Sequence, residues 1–279
     1  MISYYPLYSV FSNVSTPNIL LVTKGHPFDR NAFFEIFDDI NVDWTHVEHP
    51  AAQVFFDPLH ARDYDAFVMY DMPGVRFGPE GPRFTDPTPE YKQAFLSLLE
   101  SGQGMVFLHH ALAGWPAWEE YSEIVGGRFL YAADQLRGTR RPDSGYRHKV
   151  NHQLQVLGEH PLTAGLPDSF PMTDELYLAE IFEDSVEPLI TSDYSFTREN
   201  FYSANKAVHG SMFDNEGWAH EDGSNIVAWI KHYGQSPIAY LQGGDDPEAY
   251  ANSNYRQLVE NAIHWAASPA AHKWAQNRR

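Results

Sequence analysis

The sequence predicts one α/β domain built on a mostly parallel β-sheet, and three observations carry that expectation. Short apolar runs alternate with amphipathic stretches along most of the chain, the pattern of strands joined by helices. One such run, Gly104 to Leu108, passes straight into His109, His110, Ala111 and Leu112, a strand-to-helix turn. Turns of this kind present side chains at the carboxyl edge of a parallel sheet, where open α/β folds place their ligands. Finally, 279 residues with 43% hydrophobic content suffice for a sizeable core, and no linker is long enough to divide the chain into two domains.

The elements follow in order. Asn18 to Lys24 is a short apolar strand broken by Gly25-His26-Pro27, after which Phe33, Ile36, Phe37 and Ile40 recur at helical spacing. Val42 to His49 suits a second strand and Asp65 to Met72 a buried third. Pro73 to Pro87, rich in Gly and Pro, reads as a long surface loop. Thr88-Pro89 supplies an N-cap and a first-turn proline for a helix whose buried face is Tyr91, Phe95, Leu98 and Leu99, with Gly102 as its stop. The fourth strand is Gly104 to His109. Trp115 to Val125 is a further helix, closed by Gly126-Gly127.

From Arg128 to Gly145 the chain turns to Arg, Gly, Asp and Pro, which predicts an irregular excursion: a lid over the sheet edge, or a plain solvated loop. His148, Val150, His152, Leu154 and Val156 share one face of a strand at period two, and Val186 to Ser192 gives another strand. Asn225 to Tyr233 and Pro237 to Gln242 flank Gly234-Gln235-Ser236, a C-terminal β-hairpin. Tyr255, Leu258, Val259, Ala262 and Ile263 mark the last helix, and Ala271 to Arg279 reads as a frayed polar end. The expected organisation is a single domain over residues 18–267, with an N-terminal extension, 1–17, and a C-terminal tail, 268–279.

Composition narrows the function. The 19 Lys and Arg against 37 Asp and Glu give a formal charge of −18, which argues against nucleic-acid partners and anionic membrane surfaces. The absence of cysteine removes disulfides, thiolate nucleophiles and Cys-based metal sites, so any metal must be held by His, Asp and Glu. Met1 to Pro17 lack the basic and apolar regions of a secretory signal, and eighteen consecutive apolar residues occur nowhere. The expected location is the cytoplasm. No nucleotide cofactor is indicated, and a homo-oligomer is compatible with the sequence.

The chemistry-bearing residues cluster by strand end. His26 follows the first strand, and His109 and His110 follow the fourth; at such ends the three imidazoles can converge. Because neighbouring strand residues point to opposite faces, one of His109 and His110 is expected in the cleft unless the turn splays both. Asp174-Glu175 precede an apolar Leu-Tyr-Leu run, either capping a segment or supplying a general base, a metal ligand or a residue that orients a histidine. His148 is a candidate at a strand start, His152 reads as a core histidine and His160 as a turn residue. For His46, His49, His60, His264 and His272 surface or structural roles are expected. Asp29 either caps the first helix or, with Arg30, contacts a polar ligand. Trp115, Trp118, Tyr131, Tyr177, Trp218 and Tyr233 are aromatics for a carbohydrate platform or for the core. Lys231 and His232 stand at a hairpin edge, where charge discourages edge pairing.

Several stretches together resemble the ThuA-like (trehalose utilisation) family. They are Val22-Thr-Lys-Gly-His26-Pro-Phe-Asp29, Phe107-Leu-His-His-Ala111, Glu123-Ile-Val-Gly-Gly-Arg-Phe129, Tyr146-Arg-His148, His160-Pro-Leu-Thr-Ala-Gly165, Asp174-Glu-Leu-Tyr177 and Trp229-Ile-Lys-His-Tyr-Gly234, in an order spanning Asn18 to Ala267. The resemblance implies a flavodoxin-like three-layer sandwich of the class I glutamine amidotransferase type, with histidine at the position of that fold's cysteine, so that glutamine hydrolysis by that route is closed. It also implies a role in sugar metabolism, on disaccharide derivatives oxidised at a ring hydroxyl. One departure stands out: where many members carry Gly-His after the final strand, this chain has Gly243-Gly244-Asp245.

The expected activity is proton transfer by His109 or His110 and a carboxylate of Asp174-Glu175 on a small carbohydrate, a keto-sugar or keto-glycoside, in elimination, hydration or isomerisation. A divalent ion, zinc or manganese, would be held by His26, His109, His148 and Glu175. Substrate recognition is assigned to Asp29, Tyr177, Arg140 and Arg141, the last two drawn from the local basic excess Arg128, Arg137, Arg140 and Arg141. The alternatives are metal-assisted hydrolysis of a glycoside or ester, and a non-catalytic sugar-binding module.

Overall fold

A computed structural model describes residues 16–278; of the expected extension 1–17, all but Thr16 and Pro17 lies outside them. The central sheet contains β1 (Asn18–Lys24), β2 (Asp43–Glu48), β3 (Ala66–Asp71), β4 (Gly104–Leu108), β5 (Gly145–Val156), β6 (Ser169–Leu178), β7 (Glu187–Ser192), β8 (Tyr202–Ser203), β9 (Ile226–Tyr233) and β10 (Ser236–Leu241). Their spatial order is β6-β5-β7-β9-β10-β4-β3-β1-β2, with β8 paired to β5 off this path. β2, β1, β3, β4 and β10 run parallel to one another, and β9, β7, β5 and β6 continue the sheet antiparallel. The expected hairpin is therefore not an appendage: β10 is the fifth strand of the parallel core and β9 begins the extension.

Helices cover both faces, as strands apolar on both sides require. Ile19 and Leu21 of β1 pack with Phe33, Ile36 and Phe37 of α1 (Arg30–Asp39) and with Leu258, Val259 and Ile263 of the C-terminal helix Ser253–Ala266. Leu20 and Val22 face the other way, toward Tyr91, Phe95 and Leu98 of α2 (Pro89–Ser101) and Tyr121 and Ile124 of α3 (Glu119–Val125). This is the three-layer sandwich anticipated from the sequence. The expected start and stop signals operate: Thr88 Oγ1 accepts from Tyr91 N at 3.2 Å, and Gly102 closes α2 in the left-handed conformation at φ 96°.

Four local expectations need correction. The polar end is a helix, Pro269–Gln276, capped by Ser268, with Ala271 and Ala275 buried and Trp274 5.4 Å from Trp265. Its buried face is made of alanine, which a search for large apolar residues passes over. Asp174 and Glu175 lie inside β6, not at a segment start, because the strand begins at Ser169. His148 does not share a face with Val150: the β5–β6 register slips by one residue between Arg147 and Val150, a β-bulge at which Lys149 has φ 55°, and the extra residue reverses the alternation. Arg128–Gly145 is a compact excursion carrying a small ribbon, Asp134–Leu136 with Thr139–Arg141.

Candidate functional site

The carboxyl ends of β1, β3, β4 and β10 open onto one edge of the parallel sheet, and the bulged β5 and its partner β6 reach it from the antiparallel side. His109 begins the turn after β4 with φ 45°, a strained value for a side chain with a Cβ. Its ring is fixed from both ends. Nδ1 lies 2.7 Å from the carbonyl oxygen of Gln242, which can only accept, so Nδ1 carries a proton and donates it. Nε2 then faces Tyr177 Oη at 2.8 Å, Glu175 Oε2 at 3.2 Å and Asp245 Oδ1 at 3.4 Å. The Tyr177 ring also stacks on the imidazole at 4.8 Å.

His148 completes a ring of alternating charge, with Nε2 3.5 Å from Glu175 Oε1 and Nδ1 3.7 Å from Asp245 Oδ2. Burial pulls the His109 imidazole down, yet Asp245 and Glu175 outweigh it and hold it well above its ordinary 6.5. Asp245 raises His148 in the same way. Burial would push Asp245 up, but His109 and His148 keep its carboxyl well below the ordinary carboxylate range.

Asp174 and Glu175, adjacent on β6, point to opposite faces of the sheet. Glu175 enters the site. Asp174 is buried beneath it and accepts from the backbone N–H groups of Gly244 at 2.6 Å and Asp245 at 3.0 Å, so it shapes the turn that delivers Asp245. Burial pushes its carboxyl up to about 7, against those donors. Gly244 has φ 109°, and a Cβ there would lie 2.2 Å from Tyr255 Oη; the Gly-Gly step is what lets the chain pass so close.

The turn does splay both histidines, but to different surroundings. His110 is buried between Tyr70, 4.2 Å away, and His26, stacked at 4.7 Å, and burial lowers it well below 6.5. His26 lies 6.4 Å, centroid to centroid, from His109 and is itself lowered, first by burial and then by His109. Over this floor stands a cavity of about 530 Å³, to which His26, His148, Glu175 and Tyr177 contribute along with Phe129, Tyr131 and Tyr146.

The remaining assigned residues lie elsewhere. Asp29 accepts from Ala32 N at 3.0 Å as the N-cap of α1, so its carboxylate is spent on the helix end. Arg30 pairs with Glu48 at 2.5 Å. Arg141 faces Glu180 at 3.4 Å and Glu221 at 3.5 Å, Arg140 is exposed, and neither lines the cavity. Arg137 pairs with Glu123 and Asp184, each at 2.6 Å, and Arg128 is buried on backbone carbonyls of Trp115 and Trp118. The excursion reaches the cavity through Phe129 and Tyr131 instead. His152 is buried, with Nδ1 2.8 Å from Ser192 Oγ, and His160 caps the turn Pro161–Thr163.

Asp245 is the site residue that sequence reasoning missed. Its signal was the Gly-Gly-Asp at the end of the last strand, noted as a lost histidine and not as a gained carboxylate. The buried pair His49 Nε2 and Asp71 Oδ2, 2.9 Å apart, was missed as well.

The comparisons with known proteins bear on the family and the fold. The family model ThuA, described as trehalose utilisation, matches residues 19–266. The chain belongs to the ThuA family. That family is associated with trehalose utilisation and so with carbohydrate metabolism. Among solved structures, a ThuA-like protein from Parabacteroides merdae superposes with a TM-score of 0.64 at 18% identity, covering 91% of each chain. A second, from Bacteroides uniformis, gives 0.56 at 17% identity over 91% of this chain and 94% of that one. A protein titled cytoplasmic from Salmonella typhimurium gives 0.53 at 12% identity over 89% and 99%. These likenesses are of fold. No curated protein matches this ThuA-family chain. Among the described residues, no helix is long and apolar enough to cross a membrane.

Proposed function

We propose that this chain is an enzyme of carbohydrate metabolism that moves a proton at a carbon beside a ring carbonyl of a small keto-sugar or keto-glycoside. The observation that carries this reading is His109 Nε2, aimed by its Nδ1–H bond to Gln242 and set within 3.4 Å of Asp245 and of Glu175, which lines the cavity. A ring carbonyl acidifies the neighbouring C–H. A carboxylate such as Glu175, on the cavity wall, removes that proton; the protonated His148 stands where the growing charge on oxygen needs a hydrogen bond. Elimination, hydration and isomerisation all share this step.

The donor set also fits a divalent cation. His109, Glu175 and Asp245 each offer an atom within 4.8 Å of the others, and these nitrogen and oxygen donors suit zinc or manganese. His109 has the arrangement typical of a metal ligand, with one ring nitrogen fixed by a carbonyl and the other turned inward. His148 is the fourth candidate; Asp245 takes the place that His26 had in the sequence-based set. A bound ion would stabilise an enolate oxygen.

The test is metal analysis of protein purified without a polyhistidine tag, followed by incubation with keto-glycosides in D2O. Deuterium should enter the carbon beside the carbonyl, and Glu175→Gln should abolish it. Tight keto-glycoside binding without exchange or turnover, with or without metal, would leave a sugar-binding module and defeat the catalytic reading.

A further inference from the structure

The cavity is lined by few hydrogen-bonding side chains. Its hydrogen-bonding side chains are His26, His148 and Glu175, with His209 at the rim, and the rest of its wall includes Met72, Ala113, Phe129, Ala207, Val208 and Met212. Three tyrosines line it, but their hydroxyls are already engaged. Tyr131 donates to Ala113 O at 3.1 Å, Tyr146 accepts from Phe213 N at 2.9 Å, and Tyr177 meets His109. A disaccharide seated here would press the hydroxyls of its second ring against side chains that cannot hydrogen-bond them, at a cost in binding.

The mouth continues the apolar wall. Among the described residues, four of the seven exposed large hydrophobic side chains surround it: Phe77 at 51% exposure, Phe84 at 43%, Met212 at 49% and Phe213 at 58%. Phe77 and Phe84, on the hairpin Val75–Arg76 with Arg83–Phe84, lie 5.9 and 5.6 Å from the Tyr131 ring. Phe213 lies 6.0 Å from His148 on the other lip. The lips touch where Gly81 meets His209: a Cβ on Gly81 would sit 2.7 Å from His209 Nε2. A grouping of exposed apolar side chains at the rim of a cavity marks a binding surface more often than chance exposure does.

We infer that the site takes a glycoside in which a single sugar ring meets His26, His148 and Glu175 while an apolar or aromatic aglycone lies against Phe129, Val208 and Met212 and leaves between Phe77 and Phe213. This rests on the carbohydrate reading above and narrows it from disaccharides to amphiphilic glycosides. The apolar wall supplies affinity through burial of the aglycone, and the polar floor fixes which ring carbon faces the carboxylates.

Calorimetric titration of the full chain with methyl, hexyl and phenyl glucosides, their ring-oxidised keto forms, trehalose, glucose, phenol and hexanol tests it. Affinity should rise at least ~10-fold from the methyl to the hexyl and phenyl members, in line with the aglycone area buried. Phe77→Ser and Met212→Ser, at exposed positions, should flatten that rise while leaving the melting temperature unchanged. If trehalose or glucose binds as tightly as the phenyl glucosides, or the variants leave the slope intact, the inference falls and the sugar reading stands. Phenol and hexanol binding as tightly as their glucosides, or no glucoside binding at millimolar concentration, would overturn both.

Discussion

Two buried histidine–carboxylate groupings stand at the same edge of the sheet and differ in what surrounds them. His109 meets Glu175 and Asp245 beneath a cavity, and His148 joins the same carboxylates from its wall. His49, just after β2, meets Asp71, the last residue of β3, at 2.9 Å; both are buried, with Phe56, Tyr91 and Trp115 packed around the imidazole. The residue chemistry is the same. One group has two carboxylates, a second histidine and an opening, and the other has a single partner and an aromatic enclosure. A buried histidine–carboxylate contact is thus no sign of function on its own; access to a space that a ligand can fill is what separates the two.

The largest expected effect tests the open grouping. Glu175→Gln keeps the side-chain volume and removes the charge, and it should lower kcat on a keto-glycoside at least ~100-fold. Circular-dichroism melts of the same variant should stay within a few degrees of wild type. If turnover survives, the site chemistry lies elsewhere.

The closed grouping should answer in the opposite currency. His49→Ala strands the Asp71 carboxylate without its partner and should cost about 3–5 kcal/mol of stability, read by urea unfolding. Turnover per folded molecule should remain near wild type. A stable, inactive His49→Ala protein would mean that the two groupings are coupled, and the distinction drawn here would fail.

How much of this contrast was legible beforehand depends on the signal each residue leaves in sequence. The His109 turn was visible because an apolar strand runs straight into it, and the helices of both layers were visible in the spacing of Phe33, Ile36, Phe37 and of Tyr91, Phe95, Leu98. Asp245 was not, because a carboxylate after two glycines reads as a turn residue until Asp174, seventy positions earlier, is seen holding that turn in place. The β5 bulge was hidden for a related reason: period-two patterning continues through His148, Val150 and His152 while the backbone at Lys149 inverts which face is which. His49–Asp71 joins neighbouring elements whose pairing only the sheet order reveals.

His152 sharpens the comparison from a third side. It is buried beside a hydroxyl, not a carboxylate, and burial lowers it from 6.5 to about 4. Between those values the unfolded chain takes up a proton that the folded one refuses. Its contribution to stability is therefore present above pH 6.5 and lost as pH falls toward 4, by up to roughly 3 kcal/mol. His109 has the opposite sign, with its stabilisation full below 6.5 and fading as pH rises through its raised value. Unfolding free energies measured from pH 7 to 4 should fall less steeply in His152→Asn than in wild type. An unchanged slope would place the acid sensitivity in other groups.

The smallest expected effect concerns the excursion that the sequence pattern leaves as either a lid bringing arginines over the cleft or a solvated loop. In the structure that segment serves the cavity with aromatic rings, Phe129 and Tyr131, while Arg137 and Arg141 pair with carboxylates away from it, Arg128 is buried on backbone carbonyls and Arg140 is exposed. Arg141 reaches Glu180 and Glu221, and Glu221 is 86% exposed, so that second pair sits in water, where such contacts are worth between nothing and about 1 kcal/mol. Replacing Arg140 and Arg141 together by Gln should leave kcat/KM on a keto-glycoside within ~2-fold of wild type, because a group that never meets the substrate has no differential contact to lose. The melting temperature should move by a degree or two at most. Tyr131→Ala is the matched control from the same segment: it removes a ring from the cavity wall and should raise KM for aryl glycosides. A large kinetic loss in the arginine pair with none in Tyr131→Ala would reverse the assignment and put the basic residues back over the cleft.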